Sequence, residues 1–176
     1  MFSQIKEQYA KLGIDVEQAI NALANTPISL HCWQGDDVGG FETDAGELGD
    51  GLAVTGNYPG KARSIGELRQ DLEQVLNLLP GKHRLNLHAI YGDFQGQKVD
   101  RDAIETSHFQ SWIDWAKSLG IGMDFNPSCF SHPKAGSGFT LSSPDAGIRD
   151  FWVEHCQRSR SIAADMGKQL GSPAVT

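Results

Sequence analysis

The segment "HRLNLHAIY" at residues 83–91 decides the fold. In an extended chain Leu85, Leu87 and Ala89 fall on one side and Arg84, Asn86, His88 and Ile90 on the other, because successive side chains of a strand point to opposite faces. One side is apolar, as a covering helix requires, and the other is polar and ends at a histidine. Two further segments repeat the pattern. In "PISLHCWQGDD", residues 27–37, Ile28, Leu30 and Cys32 alternate with Ser29, His31 and Trp33. In "IGMDFNPSCFSHP", residues 121–133, Ile121, Met123 and Phe125 alternate with Asp124 and Asn126.

Helical patterns separate these strands. "SIGE" at residues 64–67 is a capping box, with Ser64 and Glu67 placed to satisfy free amides of a first turn, and Leu68, Leu72, Val75, Leu76 and Leu79 continue it as an apolar stripe. A second helix starts near Thr106, turns Phe109, Trp112, Ile113, Ala116 and Leu119 inward, and stops at Gly120. A third opens at "SSPD", with Ser143 as the expected cap and Pro144 as the first helical residue, and runs to about Leu170. "SPAVT" then reads as the start of a fourth strand. Upstream, Ile5, Tyr9 and Leu12, then Val16, Ala19, Ile20 and Leu23, predict a helical hairpin broken near Gly13. The chain thus divides into a helical extension over residues 1–26 and an α/β domain over residues 27–176. Within that domain the Gly-, Asp- and Thr-rich stretch 34–63 reads as a lid, a binding loop or an oligomer contact, or as a mobile insertion.

Strands alternating with helices mean a parallel sheet, either open and doubly wound or part of a (β/α)8 barrel. A parallel sheet covered on both faces needs strands that are apolar throughout. Here each strand has one polar face, and no G-x-G-x-x-G or Walker sequence follows any of them. A barrel with a polar ligand site at the C-terminal ends of its strands accounts for both facts. The expected fold is therefore the N-terminal part of a (β/α)8 TIM barrel, comprising the first three βα units and the start of strand four.

Composition narrows the function. The 176 residues carry 15 basic and 22 acidic side chains, a formal charge of −7, with no basic stripe of the kind that tracks phosphates, so nucleic acid is an unsuitable partner. There is no apolar run long enough to cross a membrane, and the N-terminus lacks the apolar core of a signal peptide, which points to the cytoplasm. Cys32, Cys129 and Cys156 are widely spaced without a C-x-x-C pair and read as reduced thiols. His31, His88, Asp36, Asp37 and Asp124 are the residues to weigh as metal ligands, but their spacing matches no ligand signature, and a lone histidine is as readily a hydrogen-bonded core residue. Trp33, Phe125 and Phe130 are either core aromatics or platforms on which the apolar face of a sugar ring stacks. No G-x-S-x-G elbow supports a Ser-His-Asp site.

The strings "SLHCWQGDDVGGFE", "TGNYPGKAR", "RLNLHAIY" and "DFNPSCFSHP" resemble, nearly letter for letter and in the same order and spacing, the N-terminal part of the bacterial L-rhamnose isomerase family, from about Ile14 to Thr176. The resemblance implies a xylose isomerase-like barrel that works as a cytoplasmic homotetramer on L-rhamnose. It implies interconversion with L-rhamnulose by a hydride shift between C2 and C1, assisted by a divalent metal, commonly manganese, acting as Lewis acid and template. Residue by residue, it implies a catalytic, ring-opening and substrate-contacting role for His88 in "NLHAIY". It implies pocket-wall, substrate-binding roles for Trp33 in "HCW" and Phe130 in "CFSHP", and a lid or subunit contact for Phe41 in "GGFE". No residue carries over as a metal ligand, since the family's ligands lie on later strands, beyond Thr176. On this reading the chain is an N-terminal portion that binds no metal tightly and is inactive by itself. The alternatives are a non-catalytic truncated half-barrel and a different sugar-processing barrel enzyme such as a glycosidase, which needs two carboxylates where Asp124 is the only strand-face acid.

Overall fold

The computed structural model of the chain describes residues 1–31, 40–42 and 62–176. Helices α1 (Phe2–Ala10) and α2 (Val16–Asn25) form the expected hairpin, which turns through Gly13 at φ +79°, a left-handed conformation that glycine adopts without a Cβ penalty. The Asp15 carboxylate caps α2 by accepting from the Gln18 amide at 3.1 Å. Neither helix buries a residue.

Strands β1 (Ile28–His31), β2 (His83–His88) and β3 (Gly122–Asn126) are parallel and lie in chain order. The register places Leu30 beside Leu85 and Leu85 beside Met123, so the apolar faces coincide. It also sets Ser29 beside Arg84, Asn86 beside Asp124, and His88 beside Asn126, which makes the opposite face continuously polar. Helices α3 (Ile65–Leu78), α4 (Gln110–Leu119) and α5 (Ala146–Leu170) follow the three strands in turn. Leu68 and Leu72 of α3, Trp112, Ile113 and Ala116 of α4, and Ile162, Ala163 and Met166 of α5 form the core with Leu85, Leu87, Met123 and Phe125. Each of the larger aliphatic and aromatic side chains among them contributes about 1.5–3 kcal/mol by leaving water. The mixed α/β architecture and parallel sheet match the sequence-based expectation.

Several local expectations are corrected. The apolar stripe of α3 is buried only in its first half, since Val75, Leu78 and Leu79 are exposed. Ser64 does cap α3, accepting from the Glu67 amide at 3.2 Å, but the Glu67 carboxylate reaches past it to the Arg63 amide at 2.7 Å. The third long helix is capped by Asp145, which accepts from the Ile148 amide at 3.0 Å, and Ser143 instead accepts from the Asp145 amide at 3.2 Å. The charged acceptor takes the helix end, and the hydroxyl shapes the turn before it. Helix α5 closes at Gly171, left-handed at φ +62°. Residues 172–176 form no strand, although the Phe125 amide donates to the Val175 carbonyl at 2.8 Å, a single strand-like bond along the free edge of β3.

Candidate functional site

Two polar clusters occupy the polar face of the sheet. The lower one centres on Asp124 in β3. Its Oδ2 accepts from the Ser29 hydroxyl at 2.6 Å and from Arg84 Nε at 3.0 Å, and its Oδ1 accepts from Arg84 Nη2 at 3.0 Å and from the Val175 amide at 2.9 Å. Burial pushes this carboxyl up, but the Arg84 guanidinium, the Ser29 hydroxyl and the Val175 amide outweigh burial and hold it below the usual range. Arg84 also donates to Ser172 Oγ and to the carbonyls of Met123 and Pro173. Its guanidinium lies where a Cβ on Gly122 would stand, 2.2 Å from Nη1, so a side chain there would have to displace it from its partners.

The upper cluster gathers at the C-terminal ends of the strands, where polypeptide leaves the sheet and ligand groups collect in βα folds. His88 closes β2 and is buried to 1% exposure. Its ring faces those of His31 at 5.8 Å, Tyr91 at 5.8 Å and Phe130 at 6.0 Å, and its Nδ1 lies 3.2 Å from the Ser128 hydroxyl. Burial, then the neighbouring His31, lowers its pKa to about 4, so the imidazole is neutral near pH 7. A neutral imidazole offers one donor and one acceptor nitrogen, the pair needed to exchange a proton with a hydroxyl.

Arg101 fixes the loop that carries Ser128 and Phe130. It is buried to 1% and pairs in fork geometry with Glu42, Nε to Oε1 at 3.0 Å and Nη2 to Oε2 at 3.1 Å. The same guanidinium donates to the carbonyls of Ser128, Phe130 at 2.6 Å and Ser131 at 3.0 Å. One side chain therefore ties segment 40–42, which follows β1, to the loop that follows β3. From α5, His155 places Nδ1 2.8 Å from the Arg101 carbonyl and Nε2 against the Pro127 carbonyl. Burial pulls the His155 pKa down against the opposing pull of those carbonyls. Beneath the loop, Cys129 Sγ lies 3.9 Å from Cys156 Sγ, and burial, then that neighbour, pushes the Cys129 thiol up to about 12, which keeps it protonated and unreactive.

Of the residues singled out by sequence, His88, Phe130, Phe41 and His31 converge. Phe130 is half-buried with its edge toward His88. Phe41 is half-buried against the core, donates its amide to the Ile90 carbonyl at 2.7 Å and tilts its ring toward Tyr91 at 5.6 Å. His31 is exposed at the end of β1. Trp33, Asp36, Asp37 and Cys32, and most of the 34–63 stretch, lie outside the described residues. Phe125 points to the opposite, helix-covered face, where it packs edge-on to Phe109 at 4.9 Å, so its role is core.

Asp124 is not available as a metal ligand or as a glycosidase carboxylate. Four donors, two of them from a guanidinium, already saturate its oxygens. Among the described residues no three His, Cys, Asp or Glu side chains come together as a cation would need, so these residues do not fit a divalent metal. Ser128, Arg101, Glu42 and His155 were not anticipated. Only His155 left a trace in the sequence, as a polar residue on the inward stripe of α5 with Phe151, Trp152, Ser159 and Ile162.

The fold is a βα repeat on a parallel sheet, with a polar cluster at the C-terminal strand ends around a buried neutral histidine. The family model for L-rhamnose isomerase (RhaA) matches residues 1–176, and the chain belongs to that family. It is 56% identical over 174 residues to an L-rhamnose isomerase of Rhodopirellula baltica, a match covering 99% of this chain and 40% of the relative. It is also 56% identical over 170 residues to the L-rhamnose isomerases of Shigella flexneri and Salmonella enteritidis, covering 97% of this chain and 40% of each. The chain thus spans about two fifths of the length of the curated relatives it matches. No helix among the described residues is long and apolar enough to cross a membrane.

Proposed function

We propose that this chain supplies the first strands and one wall of the sugar site of an aldose–ketose isomerase interconverting L-rhamnose and L-rhamnulose, on a (β/α)8 barrel assembled as a cytoplasmic homotetramer. The observation that carries the reading is His88. It is a neutral, buried imidazole at a strand's C-terminal end, flanked by Phe130 and Tyr91, in a chain of this family. In this reading His88 takes and returns a hydroxyl proton of the sugar as its ring opens, Phe130 and Trp33 wall the pocket, and Phe41 anchors the segment after β1 as a lid root or subunit contact. A divalent cation, manganese, belongs to the reading as well, and its ligands are assigned outside the described residues. The 176-residue chain is expected to form no L-rhamnulose by itself.

A chimera tests this. Residues 1–176 replace the matching segment of the Shigella flexneri relative, and L-rhamnulose formation is measured with manganese added. The chimera should isomerise L-rhamnose within about 10-fold of its parent, a factor that corresponds to a barrier difference of about 1.4 kcal/mol. A chimera that folds and assembles like its parent yet leaves L-rhamnose unchanged would refute the assignment.

A further inference from the structure

We propose that Ser128 is a positioning residue that holds His88 in the tautomer carrying its ring proton on Nδ1, leaving Nε2 as the acceptor for a sugar hydroxyl. The role given to Nε2 rests on the isomerase reading, whereas the tautomer itself does not.

The Ser128 hydroxyl lies between two groups, His88 Nδ1 at 3.2 Å and the Asn126 carbonyl at 3.3 Å. A hydroxyl has one proton, and a carbonyl oxygen can only accept. If the proton goes to Asn126, the serine oxygen turns a lone pair to Nδ1, which must then carry hydrogen. The opposite orientation would set hydroxyl lone pairs against a carbonyl oxygen in a buried site, where uncompensated polar groups are expensive. Only the first arrangement satisfies all three groups. Ser128 is buried to 1%, so solvent does not relieve the alternative.

The loop makes this placement rigid. Ser128 sits at φ +58°, and Ser131 at φ +51°, left-handed conformations that cost a residue with a Cβ and persist where surroundings over-determine them. The surroundings are named: the Ser128 amide donates to Asn126 Oδ1 at 2.8 Å, and Arg101 grips the carbonyls of Ser128, Phe130 and Ser131 while locked to Glu42. A serine serving only to fill space needs none of this.

The chain is labelled with 15N-histidine, and the protonated nitrogen of His88 is read by magic-angle-spinning NMR near neutral pH, with His88→Asn identifying the signal. If the isolated chain lacks a fixed core, the same labelled segment is read within the chimera. Hydrogen on Nδ1 is expected in the wild type. Ser128→Ala and Ser128→Gly, the second of which relieves the backbone, should both shift the population toward Nε2–H. Hydrogen on Nε2 in the wild type, or an unchanged tautomer in either variant, would overturn the proposal. In the chimera Ser128→Ala should lower kcat about 10-fold, at the low end for loss of a group aiding proton transfer, with KM within about 2-fold. An Nδ1–H ring in a folded but inactive chimera would sink the isomerase reading and leave the tautomer standing. An Nε2–H ring in an active chimera would do the reverse.

Discussion

The two polar clusters share one face of one sheet and differ in the charge state of their central group. Asp124, below, accepts four hydrogen bonds and keeps its charge under all ordinary conditions. His88, above, is buried deeper, lies in an aromatic enclosure with the Ser128 hydroxyl at Nδ1, and its proton affinity is depressed. An ion saturated by donors cannot change partners without large loss, which suits a strut. A neutral base with an acceptor nitrogen can, which suits chemistry. Residue type alone would have ranked them the other way, the strand-face carboxylate first.

The largest expected effect breaks the lower cluster. Asp124→Ala leaves the Arg84 guanidinium, 16% exposed, without its counterion, and losing one partner of a buried pair costs about 3–5 kcal/mol. The urea midpoint should fall accordingly, while turnover per folded chimera stays within a few-fold of the parent. A stability loss under about 1 kcal/mol would show the pair to be no strut.

Acid should expose the upper cluster next. His88 has a folded pKa of about 4 against an ordinary 6.5, so between those values the unfolded chain binds more protons than the folded one, and stability falls as pH drops. The difference corresponds to roughly 3 kcal/mol of stability present near pH 7 and lost on approach to pH 4. Burial also lowers the His155 pKa, which adds loss of the same sign. Comparison with His88→Asn isolates the His88 share, because the variant should gain on the wild type by about that amount across the window. Parallel stability curves for the two proteins would mean that His88 is not held neutral by its site.

The same substitution should separate the clusters by function. In the chimera, His88→Asn retains polarity but loses the basic nitrogen, and turnover should fall ~10²-fold, with folding and metal content nearly intact. The loss should be smaller for a substrate supplied in open-chain form. A sharp drop in Tm with near-normal turnover of the folded fraction would move His88 to the structural side of the comparison.

What the sequence allowed to be read follows from how local each cause is. Strand faces, the start of α3, the end of α5, the Gly120 stop and the position of His88 come from period and capping, which are properties of neighbours in the chain. Arg101 lies among short turns in "VDRDAIE" with no period around it, and its partners at residues 42 and 128–131 are 27 or more residues away. Contacts of that span leave no spacing signal. For Asp124 the sequence argues against a ligand or acid role only from missing partners, no ligand signature and no second carboxylate, whereas the cation that claims it, Arg84 on the same polar face of the next strand, is evident only from the strand pairing. For Val75 and Leu79 the periodicity was right and the burial was not, because a stripe records only that a surface is apolar, not that something covers it.

The smallest expected effect tests whether saturation itself is what makes the lower cluster a strut. Ser29→Ala removes the 2.6 Å bond from β1 to Asp124 Oδ2, but Arg84 Nε still reaches that oxygen and Arg84 Nη2 and the Val175 amide still hold Oδ1. The carboxylate thus stays charged and paired, and the cost should be that of one hydrogen bond to a charged group, about 1.5 kcal/mol. The Asp124 pKa, followed by the carboxyl carbon signal on acid titration, should rise toward the usual range, since one of the three groups depressing it is gone. It should still lie below that range, because the guanidinium remains. A cost equal to that of Asp124→Ala would mean that the four bonds act as one indivisible unit, and the strut would then rest on cooperativity among its donors rather than on their number.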